Sequence, residues 1–141
     1  MRTPTAISLF SGCGGMDLGF VQAGFDVLWA NDINGFACKT YAHNIGDHII
    51  HGDITEIDYQ SIPTADIIIG GFPCQDFSML WKRGGVSTDR GNLYKNFVDL
   101  VAQKNPKVFV AENVKGILTA NKKQAIKQIT EDFSDTGEMG Y

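Results

Sequence analysis

Ala65-Asp66-Ile67-Ile68-Ile69-Gly70-Gly71-Phe72-Pro73-Cys74-Gln75 is the stretch on which the fold turns. Its isoleucines are β-branched and apolar on both parities, the pattern of a strand covered on both faces in a parallel sheet. Gly70 and Gly71 end that run and leave room for a ligand or another backbone to come close. Pro73 then fixes φ and stiffens the chain beside Cys74. Open α/β sheets bind their ligands at the carboxyl ends of strands, so a thiol placed there is a candidate nucleophile. The competing reading is a small buried hydrophobe, the commoner fate of cysteine. The polar continuation Gln75-Asp76-Phe77-Ser78 favours an accessible thiol.

Toward the amino terminus, Thr5 to Phe10 reads as a first strand, Ser11-Gly12-Cys13-Gly14-Gly15 as a glycine loop, and Met16 to Ala23 as a helix. Asp26 to Asp32 reads as a second strand whose closing carboxylate stands twenty residues after Gly12. That interval suits an acid accepting both hydroxyls of a ribose. The dinucleotide fingerprint G-x-G-x-x-G fails because Asp17 occupies the place of its third glycine, which argues against a nicotinamide or flavin cofactor. Without a pyrophosphate to cradle, Gly14-Gly15 is expected to lay its backbone against a smaller, non-phosphorylated part of a nucleoside. An ordinary tight βα turn is the alternative.

A helix over 35–44 and a short strand over 47–51 follow, ending in Gly52-Asp53-Ile54. Asp53 suits either an adenine amino group or a cap on the next turn, and the local sequence favours the cap. His43, His48 and His51 have a spacing that fits neither one helix face nor a metal loop, so they read as solvated loop histidines.

Beyond Cys74, residues 79–91 carry little periodicity, and long loops in compact domains are commonly lids or linkers. Lys82, Arg83 and Arg90 beside Trp81 offer phosphate contacts, and paired glycines offer hinges. A helix over 92–104 places Leu93, Phe97, Leu100 and Val101 at core spacing. Pro106 to Ala111 reads as a fifth buried strand ending in Glu112, a carboxylate suited to the same pocket as Cys74, or else to a loop cap or salt bridge. A last helix covers about 122–135. Strands alternating with helices predict an α/β, doubly wound, mostly parallel sheet.

The composition is that of a globular chain: 141 residues, 43% hydrophobic and 20% charged, fit one domain or a piece of one. Three dispersed cysteines without a C-x-x-C pair suggest a reducing compartment and no metal site. The apolar run Ala6 to Phe10 is too short for a signal-peptide core or membrane span, so a cytoplasmic protein is expected. The net charge of −4 is unevenly spread: residues 1–81 hold 2 basic and 9 acidic side chains, and residues 82–141 hold 10 and 7. A polyanion would meet the second half.

Taken together, the three loops resemble the cytosine-5 DNA methyltransferases. Phe10-Ser11-Gly12-Cys13-Gly14-Gly15 looks like that family's methionine-binding loop, Gly71-Phe72-Pro73-Cys74-Gln75 like its nucleophile loop, and Glu112-Asn113-Val114 like its base-recognition tripeptide. The resemblance implies the Rossmann-like fold of S-adenosylmethionine-dependent methyltransferases, with S-adenosyl-L-methionine as cofactor and double-stranded DNA as substrate. It makes Phe10, Ser11 and the Gly12 to Gly15 backbone, Cys13 included, the walls of the cofactor pocket. Asp32 takes the ribose hydroxyls and Asp53 the adenine amino group, with Ile33, Ile54, Pro73 and Leu93 also lining the cofactor. It makes Cys74 the nucleophile that adds to carbon 6 of cytosine, Glu112 the group that holds the ring, and Gln75, Lys82, Arg83 and Arg90 nucleic-acid contacts. Ser8 stands where many members carry Asp, and Ile33 where an aromatic residue often packs on adenine.

The resemblance further implies elements that these residues lack: later strands, an arginine at the target base, a target-recognition region and a returning segment. The expectation is therefore a cofactor-binding and catalytic segment over 1–141, sheet incomplete at the C-terminus, from a truncated enzyme or one subunit of a split one. A second polypeptide would then supply the missing half, and this segment would not methylate alone. The family also implies location at the bacterial nucleoid and pairing with a restriction nuclease. Two other readings are an RNA cytosine-5 methyltransferase and a non-catalytic remnant that binds cofactor or a partner.

Overall fold

A computed structural model describes residues 2–73, 93–119, 123–137, 140 and 141. Their elements run β1 (Thr5–Leu9), α1 (Gly15–Gln22), β2 (Asp26–Asp32), α2 (Gly35–Asn44), β3 (Ile49–His51), β4 (Ile67–Gly70), α3 (Leu93–Lys104), β5 (Val108–Ala111) and α4 (Gln124–Ser134). Short 3-10 turns sit at Ile54–Glu56, Tyr59–Ser61 and Lys115–Leu118. The sheet has the order β3-β2-β1-β4-β5 and every pairing is parallel. This is the doubly wound α/β arrangement, and the order reverses at β1, between β2 and β4. Ligand crevices in such sheets open at that reversal.

The chain divides into two compact units, Met1–Gly71 with Pro106–Ala111, and Phe72–Asn105 with Glu112–Tyr141. The first holds the whole sheet. Strand β1 lies in its middle, and Ala6, Ile7, Ser8 and Leu9 are all buried. A parallel strand between two neighbours and covered on both faces needs apolar residues on both parities, and Ile67 to Ile69 meet the same demand in β4. One core cluster joins Ala6, Val27, Ile67 and Ile69, with Met16 and Phe20 of α1 and Phe25 packed against it. Phe20 and Phe25 meet edge to face, with ring centroids 5.1 Å apart.

Strand β5 departs from the expected buried strand. It lies at the edge of the sheet, and Val108 and Val110 are 52% and 37% exposed. Position in the sheet, which local sequence does not encode, decides burial here. The helices fall within two residues of the expected spans. In the second unit, α3 buries Phe97, Leu100 and Val101 as expected, together with Tyr94, while Leu93 is only partly covered. An aromatic cluster of Phe72, Tyr94, Phe97 and Phe133 organises this unit through edge-to-face contacts. Tyr94 donates its hydroxyl to Asp132 of α4, so its polar end is satisfied although its ring is buried.

At the amino-terminal end of the sheet Asp66 ties three strands. Its carboxylate accepts from Thr5 N at 2.9 Å, Thr5 Oγ1 at 3.0 Å, Lys107 Nζ at 2.9 Å and Arg2 at 2.5 Å. Lys107, then the Thr5 donors, hold the Asp66 carboxyl well below the usual carboxylate range. A lowered folded-state value means that the stabilisation is present at neutral pH and is lost as pH falls below the ordinary carboxylate range near 4. Asp66→Asn is therefore expected to lower the thermal midpoint at pH 7, with the gap to the natural protein narrowing below about pH 4. Thermal denaturation across pH checks this, and an equal gap at all pH values would refute the ionic origin.

Candidate active site

At the carboxyl end of β1 the backbone turns sharply, with Phe10, Gly12 and Gly14 at φ 55°, 56° and 89°. Gly14 N donates to Ser11 O at 2.9 Å, and Gly14 caps α1 in the left-handed conformation. The two ends of this loop have different needs. A Cβ at Gly14 would sit 2.7 Å from Tyr41 Cδ2 and against Ile45, whereas none of the described residues would approach a Cβ at Gly12 or Gly15 within 4 Å. Gly14 is thus demanded by packing inside the protein. Beside Gly12 and Gly15 the space a Cβ would take is open among the described residues.

Asp32 closes β2 beside this loop. Its Oδ2 accepts from Gly12 N and its Oδ1 from Asn34 N, both at 2.8 Å, so one carboxylate fixes the glycine loop and the entry to α2 together. Each oxygen keeps a further lone pair for another donor. Asn34 caps α2 by accepting from Phe36 N and Ala37 N. Asp53 caps the next turn, as its sequence favours, accepting at Oδ1 from Thr55 N and Thr55 Oγ1 at 2.9 and 2.7 Å. Ile54 beside it is 3% exposed, while Ile33 at the end of β2 is 66% exposed. Cys13 in the loop is exposed. Cys38 is buried with Sγ donating to Asp32 O at 3.4 Å, and burial pushes its thiol up.

His48 departs from the solvated loop residue expected, whereas His51 is exposed, as expected, and lies on β3. His48 Nε2 lies 3.0 Å from Tyr41 Oη with the rings edge to face, and His51 places Nε2 3.1 Å from Ile33 O. The His48 ring rests in the space left by Gly46, and the His51 ring in that left by Gly35. His43 lies on the exposed side of α2. Among the described residues no group of three or more His, Cys, Asp or Glu is arranged to hold a metal ion. No helix among them is long and apolar enough to cross a membrane.

In the second unit the chain leaving β4 and the chain leaving β5 are joined. Asn113 Nδ2 donates to Phe72 O at 2.8 Å, and Asn113 Oδ1 accepts from Val114 N at 2.9 Å. Phe72 is buried, and Pro73 and Glu112 are exposed. Cys74, Gln75, Lys82, Arg83 and Arg90 lie outside the described residues. Sequence reasoning missed the positioning amides. Asn31 is 1% exposed and donates to both Ile50 O and Gly52 O at 2.9 Å, fixing the turn that carries Asp53. Its signal was a polar residue inside an apolar strand. For Asn113 the signal was an amide directly after the strand-terminal acid.

A parallel sheet in the order β3-β2-β1-β4-β5, with a glycine loop after its central strand and a carboxylate closing the next, places the chain among the doubly wound α/β proteins. The family model described as C-5 cytosine-specific DNA methylase matches residues 5–141, and the chain belongs to that family. It is 60% identical over 136 residues to the type II methyltransferase M.NgoFVII of Neisseria gonorrhoeae, covering 95% of this chain and 36% of that protein. It is 42% identical to the DNA (cytosine-5-)-methyltransferase M.ApeKI of Aeropyrum pernix, covering 95% of this chain and 34% of the relative. The chain thus spans about a third of the length of these curated relatives. Among solved structures, a prophage-encoded E. coli protein described as a DNA modification methyltransferase superposes with a TM-score of 0.73 at 32% identity, over 93% of this chain and 38% of that one. The S. pombe Dnmt2 methyltransferase shares the fold at a TM-score of 0.69 and 22% identity, over 94% and 41% of the two chains.

The asymmetry of the glycine loop can be tested by adding one methyl group at either end. Gly14→Ala meets both a left-handed backbone and the Tyr41 ring, and Gly12→Ala meets the backbone term alone, about 1–2 kcal/mol. Gly14→Ala is therefore expected to lower the urea unfolding midpoint distinctly more than Gly12→Ala. Equal midpoints would refute the packing role of Gly14.

Proposed function

We propose that this chain is the cofactor-binding and catalytic segment of a DNA (cytosine-5-)-methyltransferase that takes its methyl group from S-adenosyl-L-methionine. The observation that carries the reading is the Asn113 to Phe72 hydrogen bond, which ties the Glu112 loop to the loop leading into Pro73 and Cys74. An acid and a thiol that act on the same ring need such a link between their loops.

The described residues fit the cofactor. The open backbones of Gly12 and Gly15, the Ser11 hydroxyl and the remaining lone pairs of Asp32 suit a molecule with an amino-acid end and a ribose diol. Exposed Ile33 offers an apolar face for its base. When bound, the cofactor supplies an electrophilic methyl group.

The chain's own residues then have defined tasks. Carbon 5 of cytosine is a weak nucleophile, and thiolate addition at carbon 6 by Cys74 raises electron density there. A cysteine with an ordinary pKa near 8.5 is only a few per cent thiolate at about pH 7, yet it is intrinsically very nucleophilic. Glu112 accepts from the exocyclic amine and holds the ring as negative charge develops. Loss of the carbon 5 proton and departure of the thiol restore the ring. The target base must leave the duplex, which costs a few kcal/mol. Lys82, Arg83 and Arg90 hold the DNA backbone, in keeping with the basic excess of the second half, and Gln75 is a further nucleic-acid contact.

Two experiments on the intact protein test this. Duplex DNA carrying 5-fluorocytosine at the target, with S-adenosylmethionine present, is expected to give a covalent adduct at Cys74 detectable by mass spectrometry. Cys74→Ala is expected to abolish adduct and turnover while leaving cofactor affinity within about twofold. Turnover by the Cys74→Ala protein would overturn the nucleophile assignment. Replacing Lys82, Arg83 and Arg90 together by Ala is expected to reduce the slope of log affinity for DNA against log salt by about 2–3. An unchanged slope would remove them from the DNA contacts.

A further inference from the structure

A buried carboxylate lies behind the glycine loop, and the reading above gives it no role. Asp17, on the first turn of α1, is fully buried. Its Oδ1 is 2.8 Å from Ser8 Oγ, and its Oδ2 is 2.7 Å from Tyr41 Oη. Ser8 Oγ is in turn 2.9 Å from Ser11 Oγ, and Tyr41 Oη is 3.0 Å from His48 Nε2. Five side chains thus form one hydrogen-bonded row from His48, between α2 and β3, to the glycine loop.

The direction of every bond in the row follows from its centre. A carboxylate only accepts, so Ser8 and Tyr41 both donate to it. Burial, then Asp17 itself, pushes the Tyr41 phenol far above its usual range, so Tyr41 keeps its proton. His48 must then donate to Tyr41. Ser8 has spent its single hydrogen on Asp17, so the hydrogen between Ser8 and Ser11 belongs to Ser11. Ser11 also points toward Ser8 O, at 3.3 Å. Its hydroxyl is committed inward, and no donor among the described residues reaches its oxygen. The lone pairs of Ser11 Oγ face away from the row.

Burial pushes the Asp17 carboxyl up, and the hydrogen bonds from Tyr41 and Ser8 oppose that. The row brings a carboxylate from α1 to the one hydroxyl buried in β1.

We propose that Asp17 is a positioning residue that, through Ser8, fixes Ser11 Oγ as a hydrogen-bond acceptor for the protonated amine of the cofactor's amino-acid end. The inference rests on the cofactor reading above. Its content is a polarity: Ser11 accepts because Asp17, two bonds away, is an acceptor. An amide at position 17 has nearly the same shape but can donate to Ser8, which frees Ser8 to donate to Ser11 and reverses the row.

Calorimetric titration of the intact protein with two ligands tests the polarity. S-adenosylmethionine carries the amine, and 5′-methylthioadenosine has the same nucleoside without the amino-acid end. Asp17→Asn is expected to weaken S-adenosylmethionine on the order of tenfold, the size of one hydrogen bond to a charged group, and to leave methylthioadenosine within about twofold. Ser8→Ala, which keeps the carboxylate and cuts its link to Ser11, is expected to show the same selective loss. The exchange Ser8→Asp with Asp17→Ser, which moves the carboxylate onto β1, is expected to restore most of the affinity. Equal weakening of both ligands, or no weakening of either, overturns the proposal while the cofactor reading stands. Failure of the natural protein to bind either ligand overturns both.

Discussion

Strand β1 has neighbours on both edges and cover on both faces, and the rest of the first unit answers to that constraint. Ala6 to Leu9 are at most 1% exposed. Their backbone groups are used in ladders to β2 and β4, and their side chains have no route to water. Three apolar residues fit such a position without further conditions. Ser8 does not, because a buried hydroxyl must find partners inside the protein. Asp17, Tyr41 and Ser11 are the consequence: one polar atom in the central strand requires a polar row behind the loop that the strand delivers. The same strand also fixes where the site opens, since its carboxyl end lies at the reversal of strand order.

Two asparagines, one in each unit, hold backbone carbonyls near strand ends. Asn31 holds the carbonyls of Ile50 and Gly52 in the first unit, and Asn113 holds that of Phe72 in the second. A side-chain amide suits this task because it carries two donors and an acceptor on one planar group. Carboxylates do the complementary work at Asp32, Asp53 and Asp66, gathering backbone amides where the chain turns or starts.

Much of this was legible in the residues. The Ile67 to Ile69 run announced a strand covered on both faces, and the alternation of strands and helices announced the doubly wound sheet. The three loop motifs announced the family that the chain belongs to. Illegible features were those set by partners distant in sequence. The packing of Tyr41 and Ile45 beside Gly14 was one of these, because the sequence does not place them there. Asp17 looked only like a failed fingerprint, because α1 has no apolar stripe to show which way it faces. Val108 and Val110 looked buried because local pattern does not say which strand ends the sheet. His48 looked solvated because its partner Tyr41 lies on another element.

The knot at Asp66 has a consequence for the order in which the fold is acquired. It joins residue 66 to Thr5 across 61 positions and to Lys107 across 41. Contacts of that span require closure of long loops before they return any stabilisation. The pairs from β1 to β2 and from β2 to β3 close shorter stretches, so that side of the sheet has the faster route. During synthesis from the amino terminus, β1 emerges with one edge soon occupied and the other awaiting β4. The knot is completed only after Lys107 has been made, which makes it a late fastening on strands already aligned.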